Sequence, residues 1–197
     1  ASYIRIVQKA LDNNLPGLAD KYLTEAMKNA AKNGMTAADS AGFAGLYGLL
    51  TGKNIQAGNQ YLNSGNYQSA LAEFDKAMAI ATQFNLSQVA DLAGDGQQKA
   101  VGYLYRDLFR KSEKALDDGN AELAAIRLKE ATDFAEGYPV YRPDPVSVDS
   151  LNRRIAMVSY HTLLGQAAEL VKVSEMKPAV ELLLKAATLS RDSGILN

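Results

Sequence analysis

The side chains able to do chemistry are few and widely spaced. His161 is the only histidine and cysteine is absent, so a Ser-His-Asp relay would have one candidate base and no nucleophile in register with it. A zinc centre takes three or four His, Cys or carboxylate ligands at short spacings, a set that one imidazole without thiolates does not supply. Glu113, Asp117 and Asp118 come nearest to a carboxylate pair, but they end a charged helical pattern, where solvation accounts for them. Gly94-Asp95-Gly96 lacks the lysine and preceding strand of a phosphate loop. It also lacks the alternating acids and closing glutamate of a calcium loop, and reads as a helix break. The expectation is a chain that is not an enzyme, with no catalytic residue, metal or cofactor.

One pair does suggest recognition. Arg106 and Arg110 are four apart, on one face of a helix, with Phe109 beside them. Two guanidinium groups so placed can fork a carboxylate. The whole chain has a formal charge of -1 and a pI near 5.9, so it carries no basic field of the kind that draws nucleic acid, and none is expected as a partner. The most apolar stretch, Ala41 to Leu50, is interrupted by Gly42, Gly45 and Gly48. It falls short of the roughly 20 residues of a membrane span, so no membrane insertion is expected. The absence of cysteine is compatible with either redox setting and leaves the compartment open.

The elements that must position these residues are helices. Apolar residues recur three and four apart, and no run alternates as a strand would. Four times a turn signal is followed by alanine, a large apolar residue four on, and alanine three beyond that. The copies are Asn14 with Ala19, Leu23 and Ala26; Gly65-Asn66 with Ala70, Phe74 and Ala77; Gly119-Asn120 with Ala124, Leu128 and Ala131; and Ser174 with Ala179, Leu183 and Ala186. The pattern predicts short helices over about Pro16 to Lys32, Tyr67 to Phe84, Ala121 to Glu136 and Pro178 to Asp192. Long helices are expected from Thr36 to about Ser64, from Ser87, and from the stretch Ser147 to Ser150. Glycines 42, 45, 48 and 52, and the Gly94-Asp95-Gly96 stretch, are expected to kink or break two of these. Gly137 to Pro145 holds prolines 139, 143 and 145 and reads as an extended connector, or a contact loop. The repeat divides the chain into units of about 1–34, 35–85, 86–136 and 137–197. The amphipathic pattern starts at Tyr3 with no leader before it, which suggests a piece of a longer chain or a processed start.

Gly58, Tyr61, Ala70, Phe74 and Ala77 follow the order of the tetratricopeptide repeat, and the chain resembles that superfamily with lengthened first helices. The resemblance implies an all-α fold, a right-handed α-solenoid of about four antiparallel helix pairs in a single domain. It also implies a scaffold that binds a partner protein or peptide in the groove lined by the first helices. Carried over by register, the groove candidates are Arg5, Asn59, Asn63, Arg106, Phe109, Arg110 and His161, with Ile4, Gln8, Ile55, Glu113, Leu164 and Ala168 around them. Family members that grip a peptide C-terminus place a basic pair where Arg106 and Arg110 stand and asparagine where Asn59 stands, with Ile55 here in place of a lysine. A second expectation is a non-catalytic regulatory or oligomerisation domain of a larger enzyme. A third is a small-molecule pocket where Tyr103, Tyr105, Phe109 and Tyr160 gather. Ile4, Val7, Leu183, Leu184 and Leu189 suggest apolar end faces and self-association. His161 is expected to be partly buried beside Tyr160 and Leu164.

Overall fold

The computed structural model describes residues 2–34 and 36–195, and among them it is all-helical. The helices are α1 (Ser2–Asp12), α2 (Pro16–Lys32), α3 (Ala37–Asn63), α4 (Tyr67–Gln83), α5 (Ser87–Asp117), α6 (Ala121–Glu136), α7 (Pro145–Lys172) and α8 (Met176–Ser193). The chain forms two compact units, Ala1–Leu104 and Tyr105–Asn197, with the boundary inside α5. In the first, α1 packs on α2 and α3, α2 on α3, and α3 on α4. In the second, α6 packs on α7 and α7 on α8.

Five of the connections use the same local device. Asn14, Gly65, Asn85, Gly119 and Ser174 each take a left-handed backbone, with φ of 56, 76, 54, 78 and 66°. At each, the amide of that residue and the amide after it reach back to carbonyls three and five positions earlier. The Gly65 amide donates to Leu62 at 3.1 Å and the Asn66 amide to Tyr61 at 2.9 Å, and the same pair of bonds recurs at 14–15, 85–86, 119–120 and 174–175. This double closure satisfies helix-end carbonyls and turns the chain back on itself within three residues. Asn66 and Asn120 then cap the following helix, their side-chain oxygens accepting from the Ser69 and Leu123 amides. α3 opens on a reciprocal cap, in which Thr36 Oγ1 accepts from the Asp39 amide and the Asp39 carboxylate accepts from the Thr36 amide.

The connection from α6 to α7 is different. Its residues run from Gly137 to Asp144, with a turn closed by the Tyr141 amide on the Tyr138 carbonyl. α7 begins earlier than the Ser147 stretch suggested. Asp144 is its cap, accepting from the Val146 and Ser147 amides at 3.2 and 3.1 Å. Pro145 is its first residue, where a missing N–H costs no hydrogen bond. The Ser147 hydroxyl, donating to Asp144, holds that carboxyl below its ordinary range.

The repeated alanines are the tightest points of the packing. Ala19, Ala70 and Ala124 are 0% exposed and Ala179 1%. At Ala124 the approach is close enough for the buried Ser112 hydroxyl of α5 to donate to the Ala124 carbonyl of α6 at 2.7 Å. The large residues between the alanine pairs, Leu23, Phe74 and Leu128, are buried as well. Leu183, at the matching position of the fourth copy and expected on an end face, is 44% exposed. Val7, expected on an end face, is buried beneath α2 and α3, and Leu189 is half-buried, while Ile4 and Leu184 are exposed.

The expected helix breaks do not occur. α3 runs unbroken through Gly42, Gly45, Gly48 and Gly52, and α5 through Gly94 and Gly96. Gly96 and Gly58 serve packing instead of bending. A Cβ at Gly96 would fall 2.2 Å from the Phe74 ring and one at Gly58 2.8 Å from it, while a Cβ at Gly52 would meet nothing within 4 Å. The ring of Phe74 therefore lies in a slot between α3 and α5 whose walls are bare backbone. Gly96→Ala is expected to lower the stability of the fold by about 1–3 kcal/mol through overpacking. Gly52→Ala should raise it by about 0.5–1 kcal/mol through helix propensity. Urea unfolding of the two variants measures both signs.

Candidate functional site

The first unit holds three of the groove candidates. Arg5 lies exposed on α1, and Asn59 and Asn63 lie exposed one turn apart at the C-terminal end of α3. They occupy the side of α3 away from its buried stripe of Phe43, Leu46 and Leu50, as a 100° step per residue requires. Ile55 is half-buried.

The second unit holds the other four. Arg106 and Arg110 are both exposed on α5, one turn apart, the geometry needed to present two guanidinium groups together. Phe109 does not share that exposure. Its ring is half-buried against Leu128, Ile155 and the Tyr105 cluster, 5.8 Å from the Tyr105 ring. Phe109 is thus an anchor that fixes the rotation of α5 and so the direction of the arginines. His161 is exposed, contrary to expectation, with its ring 5.5 Å from that of Tyr160. The buried stripe of α7 runs through Leu151, Ile155, Ala156 and Ala167, and position 161 falls on the opposite side of the helix.

The four aromatics expected to gather are divided among three groups. Tyr103 stacks on Tyr67 at 4.4 Å, Tyr105 joins Phe109 and Tyr141, and Tyr160 meets His161. Tyr103 and Tyr105 are two apart on a helix and point about 200° apart, which rules out a shared pocket. Asp117 and Asp118 at the end of α5 are exposed, with Asp117 Oδ1 3.3 Å from Arg154 Nη2, while Glu113 is half-buried. Among the described residues no His, Cys, Asp and Glu group has the arrangement to hold a metal ion, and no helix is long and apolar enough to cross a membrane.

Comparison with protein-family models, curated proteins and solved structures finds no match.

Two clefts were not foreseen from the sequence. One, of about 440 Å³, lies under the α6–α7 connector and is walled by Pro139, Tyr141, Pro143 and Pro145, with Glu136, Arg142 and Asp149 among its polar lining. Tyr141 closes it on one side and rests on Tyr105, ring centroids 5.4 Å apart. The connector is thus a folded wall rather than an extended strap. The second, of about 400 Å³, lies among α2, α3 and α4, where Leu50 and Asn54 of α3 face Gly17 and Ile80. Its one sequence signal is Asn54, a carboxamide that continues the buried series Leu46 and Leu50 at a spacing of four.

Burial pushes the Tyr105 hydroxyl up to about 12, with Tyr141 and the Asp144 carboxylate adding to the shift. An unperturbed phenol loses its proton near 10, so between these values the folded chain holds a proton that the unfolded chain has released. The stability tied to this group is complete below pH 10 and is lost as pH rises through 12. Burial raises Tyr47 in the same direction. Ultraviolet titration should show a late phenolate step, and Tyr105→Phe should remove its latest part. An unchanged titration in the variant would contradict the burial of Tyr105.

Proposed function

We propose that this chain is a protein-interaction scaffold of the tetratricopeptide-repeat kind, a right-handed α-solenoid of about four antiparallel helix pairs whose first helices receive a partner peptide or protein. The observation that carries the reading is repetition at two levels. One helix–turn–helix closure recurs five times, and the buried alanine series at 19, 70, 124 and 179 recurs in four successive short helices. Such repetition builds an extended surface rather than a single enclosed centre. The lengths of α3, α5 and α7, at 27, 31 and 28 residues, give each first helix several turns beyond its short partner for lining a surface.

Within this reading Arg106 and Arg110 receive an acidic group of the partner, the free carboxylate of a peptide end or an acidic side chain. Arg5, Asn59, Asn63 and His161 supply polar contacts along the first helices. Exposed guanidinium groups are solvated when free and gain most when a planar carboxylate engages both. Replacing both arginines, Arg106→Ala with Arg110→Ala, is expected to weaken capture of an acidic C-terminal peptide by about tenfold or more, roughly 1.4 kcal/mol. Fluorescence anisotropy with such a peptide tests this. Equal affinity in the double variant, with its helical content and unfolding midpoint unchanged, would defeat the assignment.

A second reading, a non-catalytic oligomerisation or regulatory domain of a larger enzyme, has one observation in its favour. The outer face of α8 exposes Met176, Val180, Leu183 and Leu184 together, more apolar surface than a lone helix needs. Solution mass measured across a range of concentrations would rise if copies associate through this face, and Leu183→Lys with Leu184→Lys should return it to that of one chain. A constant monomer mass counts against this reading and leaves the first untouched.

A further inference from the structure

Gly34, in the connection from α2 to α3, has the left-handed backbone of the other turns, with φ of 82°, but lacks their hydrogen bond. The amides of Asn14, Gly65, Asn85, Gly119 and Ser174 each donate to the carbonyl three positions earlier, whereas the Gly34 amide donates to no described residue. The residue before it is Asn33, which ends α2 at φ -100 and ψ 9°. Both residues are exposed, and a Cβ added to Gly34 would meet nothing within 4 Å. A side-chain carboxamide thus stands next to an open, unbonded backbone nitrogen.

These are the parts of an intramolecular acyl transfer. An asparagine carboxamide is an electrophile, and the nitrogen of the next residue reaches its Cγ in a five-membered ring when nothing hinders the approach. Glycine hinders least, because it has no Cβ. Asn33 is the only asparagine in the chain followed by glycine. Asn63–Ser64, Asp95–Gly96 and Asp118–Gly119 come closest to it in sequence, and in each the structure ties the second amide. The Ser64 amide donates to Gln60 at 3.1 Å and the Gly119 amide to Leu116 at 2.9 Å. Gly96 lies within α5, where its amide belongs to the helical ladder. Ring closure requires the peptide plane to rotate about ψ of the first residue, which a bonded amide resists until it opens and the Gly34 amide does not.

We propose that Asn33–Gly34 is a site of self-modification, at which the chain converts Asn33 to aspartate and isoaspartate and so alters the C-terminal end of α2. A solvent base removes the Gly34 amide proton, the nitrogen bonds to Asn33 Cγ, and the Cγ–Nδ2 bond breaks as ammonia leaves with a proton from water. Water then adds to either carbonyl of the cyclic imide. Addition at Cγ breaks its bond to the Gly34 nitrogen and leaves aspartate. Addition at the main-chain carbonyl breaks that C–N bond and leaves the backbone running through the side chain. One water is consumed and one ammonia released. Either product puts a carboxylate at the negative end of the α2 dipole. It also cannot donate the bond that Asn33 Nδ2 gives to the Asn29 carbonyl at 2.9 Å, so the end of α2 is loosened. The site does not rest on the scaffold reading.

The test is incubation of the full chain at mildly alkaline pH, followed by charge-resolved separation and peptide mass spectrometry. The expected result is an acidic form whose added charge lies at residue 33, as a mixture of aspartate and isoaspartate, while Asn63 stays intact. Asn33 should convert in the folded chain at nearly the rate measured in denaturant. Asn63 should be accelerated by unfolding, because there the fold ties the nitrogen. Gly34→Ala and Asn33→Gln should each suppress the acidic form, the second without disturbing the left-handed turn. The converted chain and Asn33→Asp should both show a lower urea midpoint than the parent, and an unchanged midpoint in both would contradict the effect on α2. The proposal is overturned if Asn33 stays intact in the folded chain under conditions that convert it in denaturant. It is equally overturned if unfolding accelerates Asn33 as much as Asn63, or if the acidic form persists in Asn33→Gln.

Discussion

The closeness with which neighbouring helices cross is the constraint on which the rest of the structure depends. Where Ser112 Oγ reaches the Ala124 carbonyl, the two helices approach to the length of one hydroxymethyl side chain. Only alanine, serine or glycine fits at such a crossing, because a larger side chain on either helix would push the backbones apart. The same logic, carried to its limit, places bare glycine on both sides of Phe74. Small residues at the crossings and one large residue between them are therefore two halves of a single packing requirement. The left-handed turns complete it, since a reversal within three residues leaves the second helix nowhere to go but back along the first.

That requirement leaves the outer faces of the helices unconstrained, and there the charged and amide side chains collect. The visible ion pairs are consistent with this. Lys111 with Asp107, Lys129 with Asp133 and Lys172 with Glu169 are all exposed pairs within a single helix. Pairs of that kind contribute little to stability and are screened by salt. The fold is held by its apolar interior, and Arg106 and Arg110 lie on the exposed side of α5. Phe109, half-buried on the same helix, packs inward between them.

The α6–α7 connection is the place where the repeated device is abandoned, and a cleft results. The Tyr138 amide reaches the Ala135 carbonyl as the first half of the double closure does, but Pro139 at the next position has no amide for the second. The chain is instead held by the Tyr138–Tyr141 turn, by the Asp144 cap and by Tyr141 resting on Tyr105. The cleft in the first unit has the opposite origin. It opens within the regular packing, where the uncapped start of α2 faces the small side of α3, and where Asn54 stands in a position that the pattern would fill with an apolar residue.

Periodicity and turn residues by themselves determined the all-helical class, the short helices to within a residue or two, and the four buried alanines. Each of these is set by contacts within one helix or across one hairpin, so local spacing carries the information. What tertiary structure decided lies beyond that range. Gly96 read as part of a break because propensity weighs a residue against its own helix, whereas the bare backbone there, like that at Gly58, admits Phe74 from another. His161, Phe109 and Asn54 were misplaced or overlooked for the same reason. The rotation of a helix about its axis is fixed only by what packs against it, and no single segment of sequence contains that partner.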